Sequence, residues 1–276
     1  MSTNPLADYM RQISVYIALP SGGNFYKNRP DLTDDGEIGV RPMTSADEIN
    51  MRIPDSLYNG ESIYHVIRSC VPGIKDPTEM PYNDLEPLLL AIRRATYGDD
   101  LTVPHKCKNC GEELDYVQSI DRLLATVPTL ENRYTVDVGE ITVFLRPITL
   151  KSNNELQLQA VEQQQLARGL QQFSEGNEGE LIKQFQQNLI NVAMSNVRVL
   201  ADCVYQIEMP DGTRVANPEH IGEWINNIDT TTFNRIMEKL LEVQSVQMNV
   251  DFKAECAECN TPFETQVIVD QSRFFA

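Results

Sequence analysis

Two pairs of cysteines constrain this chain more than any other feature of its sequence. Cys107 and Cys110 form one C-x-x-C motif, and Cys256 and Cys259 form a second, about half of the chain further on. A C-x-x-C turn directs two thiolates at one ion, and two such turns supply the four ligands of a closed tetrahedral zinc site. The motifs therefore predict that distant parts of the chain meet at one structural zinc ion. Because four thiolates leave no open coordination position, we do not expect this metal to catalyse a reaction.

The long separation between the motifs leaves other interpretations of these cysteines open. A redox C-x-x-C usually opens a helix, whose dipole lowers the pKa of a thiol. Strand-like residues follow both motifs here instead, at 114–117 and at 263–267. The cysteines can also be reduced thiols without a metal, and His105 is an alternative to one of the four ligands.

We expect lysine side chains and backbone amides to supply positive charge near the cysteines. Lys106, Lys108 and Lys253 lie next to the two motifs, and together with the amides of the turns we expect them to offset the negative charge of four thiolates.

Cys70 and Cys203 are isolated in the sequence. We expect both to behave as small, buried apolar residues.

Composition and charge exclude several classes of function. The chain has 276 residues, with 23 Lys and Arg against 40 Asp and Glu, and its net charge is −17. Nucleic acids and anionic membranes both attract an excess of basic residues, so we expect neither as a partner. No apolar run approaches the roughly 18 residues of a membrane span, and the first residues do not form a secretory signal. We expect a protein of the cytosol, or of an assembly that is built there.

The same order of features occurs twice along the chain. Residues 37–44 and 140–149 both run from a strand pattern into Arg-Pro-x-Thr and then into a helix start. A C-x-x-C motif follows later in each case, and eleven residues after its last cysteine comes Asp121 or Asp270. This shared order indicates a duplicated unit of strands and helices.

We therefore predict an α+β fold of two related halves that are joined by the four-cysteine site. The first half is residues 1–130 and the second is residues 131–276, each with one zinc motif. Two long helices are predicted within the second half, at about 152–173 and 178–200, and the first of them is crowded with glutamine. Its narrow apolar stripe fits a solvated helix with one packed edge, or a helix that packs on another subunit.

The clearest helix of the first half covers residues 83–97, where apolar residues recur at helical spacing. We expect Asn83 or Asp84 to cap its first turn. Hairpin turns are predicted at Gly139 and at Gly212.

No catalytic constellation emerges from the sequence. His65, His105 and His220 are scattered, and none is paired with a nucleophile. The phosphate-binding motifs G-x-x-x-x-G-K-[ST] and G-x-G-x-x-G do not occur. We do not expect an enzyme.

Several longer motifs occur in a fixed order along the chain. They are LPSGGNFY at 19–26, VRPMTSADE at 40–48, PDSLYNG at 54–60, LAIRRATYG at 90–98 and VDQSRFF at 269–275. Taken together, these segments resemble the baseplate proteins of T-even-like contractile-tailed bacteriophages. The resemblance is strong over the first 120 residues and at the carboxyl end, and it fades in the glutamine-rich middle.

This resemblance implies a structural role in the baseplate of a phage tail, in or around its central hub. It implies other hub and wedge proteins and the tail tube or its initiator as partners, with several copies in a symmetric assembly. The implied location is the virion tail, after assembly in the cytoplasm of the host bacterium. The alternative function is an assembly chaperone that is absent from the mature virion.

Two groups of residues are candidates for contact with neighbouring proteins. Arg93 and Arg94 lie on the helix of the LAIRRATYG segment, where the alternative is a solvated helix face. Phe274 and Phe275 lie at the carboxyl end, where the alternative is packing on their own domain.

Overall fold

The computed structural model describes residue 6 and residues 9–52, 60–172 and 178–267, and it combines helices with antiparallel strands. The helices are α1 (Ser45–Met51), α2 (Glu61–Cys70), α3 (Leu85–Tyr97), α4 (Ile120–Leu124), α5 (Leu150–Gln172), α6 (Glu178–Cys203), α7 (Pro218–Asn227) and α8 (Thr230–Ser245). The strands are β1 (Val15–Ala18), β2 (Glu37–Val40), β3 (Asp100–Lys106), β4 (Glu113–Ser119), β5 (Tyr134–Val138), β6 (Ile141–Leu145), β7 (Val204–Glu208), β8 (Arg214–Val215), β9 (Asp251–Glu255) and β10 (Pro262–Gln266). This mixture agrees with the predicted α+β class. None of the described helices combines the length and the apolar character that crossing a membrane requires.

The chain divides into two compact units, and the second is inserted into the sequence of the first. Unit 1 comprises the described parts of Met1–Pro77, Asn83–Leu130 and Val246–Ala276, and unit 2 those of Thr78–Tyr82 and Glu131–Ser245. The boundary after Leu130 coincides with the end of the predicted first half. Residues 246–267, which the sequence analysis assigned to the second half, group with unit 1 because their hairpin meets the first cysteine motif. That the two predicted halves are copies of one duplicated unit stays a prediction.

Unit 1 contains an apolar core around α3. This helix packs against β1 and β2, an antiparallel pair in which Val15 lies opposite Val40 and Ile17 opposite Ile38. All four of these side chains are buried, as are those that α3 contributes: Leu85, Leu88, Leu89, Leu90, Ala91 and Ile92. The predicted helix is therefore confirmed. It ends at Gly98, whose φ of 95° is a conformation that glycine adopts without strain.

Asp84 was expected to cap α3, but its side chain makes no capping hydrogen bond. The carboxylate is fully buried and accepts hydrogen bonds from the backbone N–H of Ser21 at 2.9 Å, from the Ser21 hydroxyl, and from the Tyr26 hydroxyl at 2.8 Å. Asn83 also turns away from the helix and donates to the carbonyl of Val246 at 2.9 Å. The capping prediction is therefore wrong, because both side chains fix segments that are distant in sequence.

The environment of Asp84 changes its affinity for a proton. Burial raises the pKa of this carboxyl, and the hydrogen bonds from Ser21 and Tyr26 lower it. Burial prevails, and the pKa is about 6. The group therefore exchanges its proton in a range where an ordinary aspartate is already ionised.

The VRPMTSADE segment begins α1 with a capping box. The Thr44 hydroxyl accepts from the N–H of Asp47 at 3.3 Å, and the Asp47 carboxylate accepts from the N–H of Thr44 at 2.8 Å. This carboxylate is buried, lies 3.1 Å from the guanidinium of Arg11 and is 3.3 Å from the Nε2 atom of His65. Burial raises the pKa of Asp47, but hydrogen bonds from Thr44 and Ser69 and the charge of Arg11 bring it below its ordinary value.

Unit 2 joins a four-stranded antiparallel sheet to long helices. The strand order is β5–β6–β7–β8, and the hairpins turn at Gly139 and Gly212, with φ values of 59° and 82°. Both predicted hairpins are confirmed. Helix α6 packs against α5, α7 and β7, while α8 packs against β5. The two long helices lie where the sequence predicted them.

Both Arg-Pro-x-Thr segments make the same backbone connections. After β2, the N–H of Arg41 donates to the carbonyl of Cys70, the last residue of α2, at 2.8 Å. After β6, the N–H of Arg146 donates to the carbonyl of Cys203, the last residue of α6, at 2.9 Å. The threonine of each motif then caps the following helix, α1 or α5. Both cysteines are buried, as predicted.

Asp84 makes the stability of the fold depend on pH. Because its pKa rises from 3.8 to about 6 on folding, its contribution to the free energy of unfolding is fully present below about pH 4 and is lost as the pH passes about 6. Relative to Asp84→Asn, we expect the wild-type chain to lose about 3 kcal/mol over this range. Denaturant unfolding of both chains at a series of pH values measures the difference.

The comparison isolates one proton, because both chains contain the same cysteines and the same Asp47. Their pH dependence cancels when the two free energies of unfolding are subtracted. A difference that stays constant from about pH 4 to about pH 7 would show that Asp84 does not exchange a proton on folding.

Candidate metal centre

Each C-x-x-C motif forms the turn of a two-stranded antiparallel hairpin. The first motif joins β3 to β4, and the second joins β9 to β10. The prediction that strands follow the cysteines is confirmed. Neither motif therefore opens a helix, which is the setting in which a redox C-x-x-C gains its reactive thiolate.

The two turns have the same backbone structure. The N–H of Cys107 donates to the carbonyl five residues further on at 2.8 Å, and its carbonyl accepts from Gly111 at 2.9 Å. Cys256 makes the same two bonds at 2.9 and 2.8 Å, the second of them with Asn260. Gly111 and Asn260 take the same left-handed position, with φ values of 79° and 55°. Glycine and asparagine adopt this conformation most readily, so both motifs encode their turn locally.

The structure brings the four predicted cysteines together. Their sulfur atoms all lie within 4.8 Å of one another. The Sγ atoms of Cys107 and Cys259 are 3.6 Å apart, those of Cys110 and Cys256 are 3.7 Å apart, and all four cysteines are free. A tetrahedral zinc with sulfur ligands at about 2.3 Å separates its sulfurs by about 3.8 Å. The cluster therefore offers the donor atoms and the spacing of a four-thiolate zinc site.

The pKa values of these thiols diverge. Backbone hydrogen bonds within its own turn lower the pKa of Cys107, and the side chain of Thr261 contributes most to lowering that of Cys259, to about 5. At Cys110 the amide of Glu112 lowers the pKa, but lost solvation and the neighbouring sulfurs raise it to about 12. Four sulfurs at this spacing cannot all be ionised unless a cation lies among them.

The lysines near the motifs are paired elsewhere. The Nζ atom of Lys106 lies 2.8 Å from Glu113, and that of Lys253 lies 2.7 Å from Glu264, each across its own hairpin. Lys108 is exposed. Both ammonium groups lie against carboxylates of the paired strand, and the expectation that they offset the sulfur charge stays a prediction. Backbone amides of the turn lower the pKa of Cys107 and so favour its thiolate.

Aromatic contacts and two hydrogen bonds join the two hairpins beside the sulfurs, and in one of these bonds the N–H of Ala257 donates to the hydroxyl of Tyr116 at 3.3 Å. Asn109 donates from Nδ2 to the hydroxyl of Thr261 at 3.1 Å. The ring of His105 stacks on Phe263 with centroids 3.7 Å apart, and Tyr116 meets the same phenylalanine edge-on at 4.9 Å. The Nε2 atom of His105 is buried and has no hydrogen-bond partner in the described part of the chain. His105 packs between the hairpins and is not part of the four-sulfur cluster.

The candidate interface arginines are engaged within their own chain. Arg94 places Nε 2.7 Å and a terminal nitrogen 2.8 Å from the two carboxylate oxygens of Asp121. The guanidinium of Arg93 lies over the ring of Tyr97, 5.4 Å from its centre. Phe274 and Phe275 lie outside the described residues. Contact of these residues with a neighbouring protein stays a prediction.

Comparison with known proteins relates this geometry to one family. The model of a family described as T4 bacteriophage base plate protein matches residues 10–276. The matched region contains both cysteine motifs and nearly all of both compact units. No curated protein matches the chain, and no solved structure matches it.

We expect the purified chain to contain one zinc ion per chain, because the donor set and spacing suit a single four-thiolate site. Elemental analysis against protein concentration measures this ratio. Cys256→Ser removes one ligand and is expected to reduce the ratio from about one to near zero. Cys203→Ala changes a buried cysteine outside the cluster and should leave the ratio unchanged.

A wild-type chain that is metal-free when purified without chelators would contradict this prediction. If Cys256→Ser does not fold, the wild-type chain still provides a test with cobalt. Bound Co²⁺ is then expected to show the absorption bands of tetrahedral thiolate coordination, and their absence would count against the site.

Proposed function

The chain belongs to the T4 bacteriophage base plate protein family and is a phage baseplate component, and we propose that it is a structural subunit in or around the central hub. Its proposed neighbours are other hub and wedge proteins and the tail tube or its initiator. In this proposal several copies of the chain take part in a symmetric assembly. The subunit is assembled in the cytoplasm of the host and stays in the tail of the finished virion.

The four-cysteine centre is the observation that best supports a structural role. We propose that Cys107, Cys110, Cys256 and Cys259 bind one zinc ion, which joins the β3–β4 hairpin to the β9–β10 hairpin. Four sulfur ligands fill a tetrahedral zinc, so neither water nor a substrate has a position on the metal. The free energy of binding such an ion stabilises the fold.

Other reactive groups of unit 1 are also committed to internal contacts. The carboxylate of Asp84 holds the LPSGGNFY segment, and that of Asp47 holds Arg11 and the first turn of α1. His105 stacks between the two cysteine hairpins. Groups used in this way build a rigid scaffold, which supports a role that does not involve catalysis.

We also propose that the chain is a duplication. Its first copy contains β1, β2, α1, α2 and the first cysteine hairpin, and its second copy contains β5, β6, α5, α6 and the second cysteine hairpin. Two observations support this: the Arg-to-Cys backbone bond at the same place in each copy, and the identical hydrogen bonds of the two cysteine turns. In this proposal the zinc joins equivalent hairpins of the two copies.

Contact with neighbouring proteins is proposed at two places that fall in segments resembling the family. These are Arg93 and Arg94 on α3, and Phe274 and Phe275 near the carboxyl end. Because the carboxylate of Asp121 already neutralises Arg94, a partner at this part of α3 need not be acidic. The exposed side of the Tyr97 ring, next to Arg93, offers apolar surface to such a partner.

Purified virions test the proposed location. We expect quantitative mass spectrometry to find this chain at a fixed ratio to the tail-tube subunit, which serves as an internal standard. The ratio should persist when the particles are purified further, because a structural subunit does not dissociate. Abundant cytoplasmic proteins of the host provide the matched control, and their signal should fall with each step.

Absence of the chain from virions, together with its presence in infected cells, would contradict the structural role. That result would favour the assembly chaperone, which acts during construction of the tail and then leaves. The zinc content of the purified chain is measured separately, so it can hold or fail independently of this outcome.

A further inference from the structure

One face of α6 carries apolar side chains that are exposed to solvent. The opposite side of this helix is packed, since Val199 and Leu200 are buried and Ser195 accepts a hydrogen bond from Gln159 of α5 at 2.6 Å. On the outer side, Ile190 is 53% exposed and Met194 is 66% exposed. These two residues are one helical turn apart, so they lie on the same face.

The spacing of this face suits packing against another helix. Gln187, Ile190, Met194 and Val197 follow one another at intervals of three, four and three residues, and we call these four residues the α6 stripe. Such spacing places side chains along the seam of a two-helix contact. Its centre is apolar, and the amides of Gln187 and the neighbouring Asn191 lie at its edge, where they are exposed.

The α6 stripe carries no charge, although the chain as a whole is strongly acidic. No ionisable residue occurs from residue 184 to residue 197, whereas charged residues make up 23% of the sequence and the net charge is −17. Two copies of so acidic a chain repel each other over most approaches. The nearest charges on the same face are those of Lys183 and Arg198, which lie at the two ends of the stripe and are both positive. Repulsion between two acidic chains is therefore weakest at this face. A basic partner, in contrast, would gain nothing from a face that has no carboxylate.

We propose that the α6 stripe binds the α6 stripe of a second copy of this chain, with the two helices antiparallel. A two-fold axis near Val192 places Ile190 of each copy against Met194 of the other. The same axis brings Gln187 opposite Val197, so the amides remain at the edge of the contact. The interface is isologous, because the same residues contribute from both sides.

This self-association goes beyond the proposed baseplate role and does not depend on it. The purified chain forms the contact by itself, since every residue of the α6 stripe belongs to this chain. The result in solution is therefore independent of whether the chain is found in virions.

Sedimentation equilibrium over a range of concentrations tests the proposal on the full chain. We expect the wild-type chain to be a dimer that dissociates on dilution. Ile190→Lys and Met194→Glu each place a charge in the apolar centre, and each is expected to weaken the dimer by about tenfold or more. Leu241→Glu is the matched control, since Leu241 is 58% exposed on α8 and lies outside the α6 stripe; it should leave the dimer unchanged.

Mixing the two single variants tests the antiparallel arrangement. In the mixed dimer the introduced ammonium faces the introduced carboxylate, while the other pair remains Met194 against Ile190. We therefore expect the mixture to recover the dimer that each variant lacks alone. Circular dichroism confirms that each variant is folded before its mass is measured.

Three results would overturn the proposal. The first is a wild-type chain that stays monomeric at its highest soluble concentration. The second is a dimer that neither variant weakens, or that Leu241→Glu weakens equally. The third is a mixture that stays monomeric, because Ile190 and Met194 would then not face each other.

Discussion

The meeting of four cysteine sulfurs from two distant hairpins is the constraint on which the rest of the structure depends. The sulfurs come from two hairpins that are separated by about half of the chain, and they approach to 3.6 and 3.7 Å. The zinc ion that we propose at this point would allow all four thiols to ionise and would cross-link the chain. For a closed loop as long as that between Cys110 and Cys256, the lost entropy of the unfolded chain corresponds to roughly 5 kcal/mol. Unit 2 lies entirely within this loop, apart from its short segment Thr78–Tyr82.

Two buried aspartates in unit 1 have pKa values that are shifted in opposite directions. Asp47 has a cationic partner in Arg11, and its pKa lies below the ordinary value. Within the described residues, Asp84 has the neutral donors of Ser21 and Tyr26, and burial raises its pKa to about 6. Both belong to, or bind, segments that resemble the phage family. In these two segments Ser21, Tyr26, Thr44 and Asp47 therefore serve internal hydrogen bonding.

The features that were predictable from sequence are those that short stretches of chain determine. Apolar spacing identifies α3, and glycines at 139 and 212 mark the turns of two hairpins. The hydrogen bonds of Asp84 to Ser21 and the stack of His105 on Phe263 were missed. These contacts join residues far apart in the sequence, and no periodic pattern marks them. For the stack, the sequence does offer one signal: each of the four strands beside the cysteines carries an aromatic or histidine side chain.

The insertion of unit 2 between the two cysteine hairpins determines how the chain responds to tension. If zinc is bound as we propose, a pull on residue 11 against residue 267 follows the chain to the first cysteine motif and crosses the metal–sulfur bonds to the second. Residues 131–245 lie outside this covalent path. If the metal–sulfur bonds that join the two motifs break, the segment from Cys110 to Cys256 becomes part of the path, and the distance between the two pulled residues can increase by the length of that segment as it unfolds.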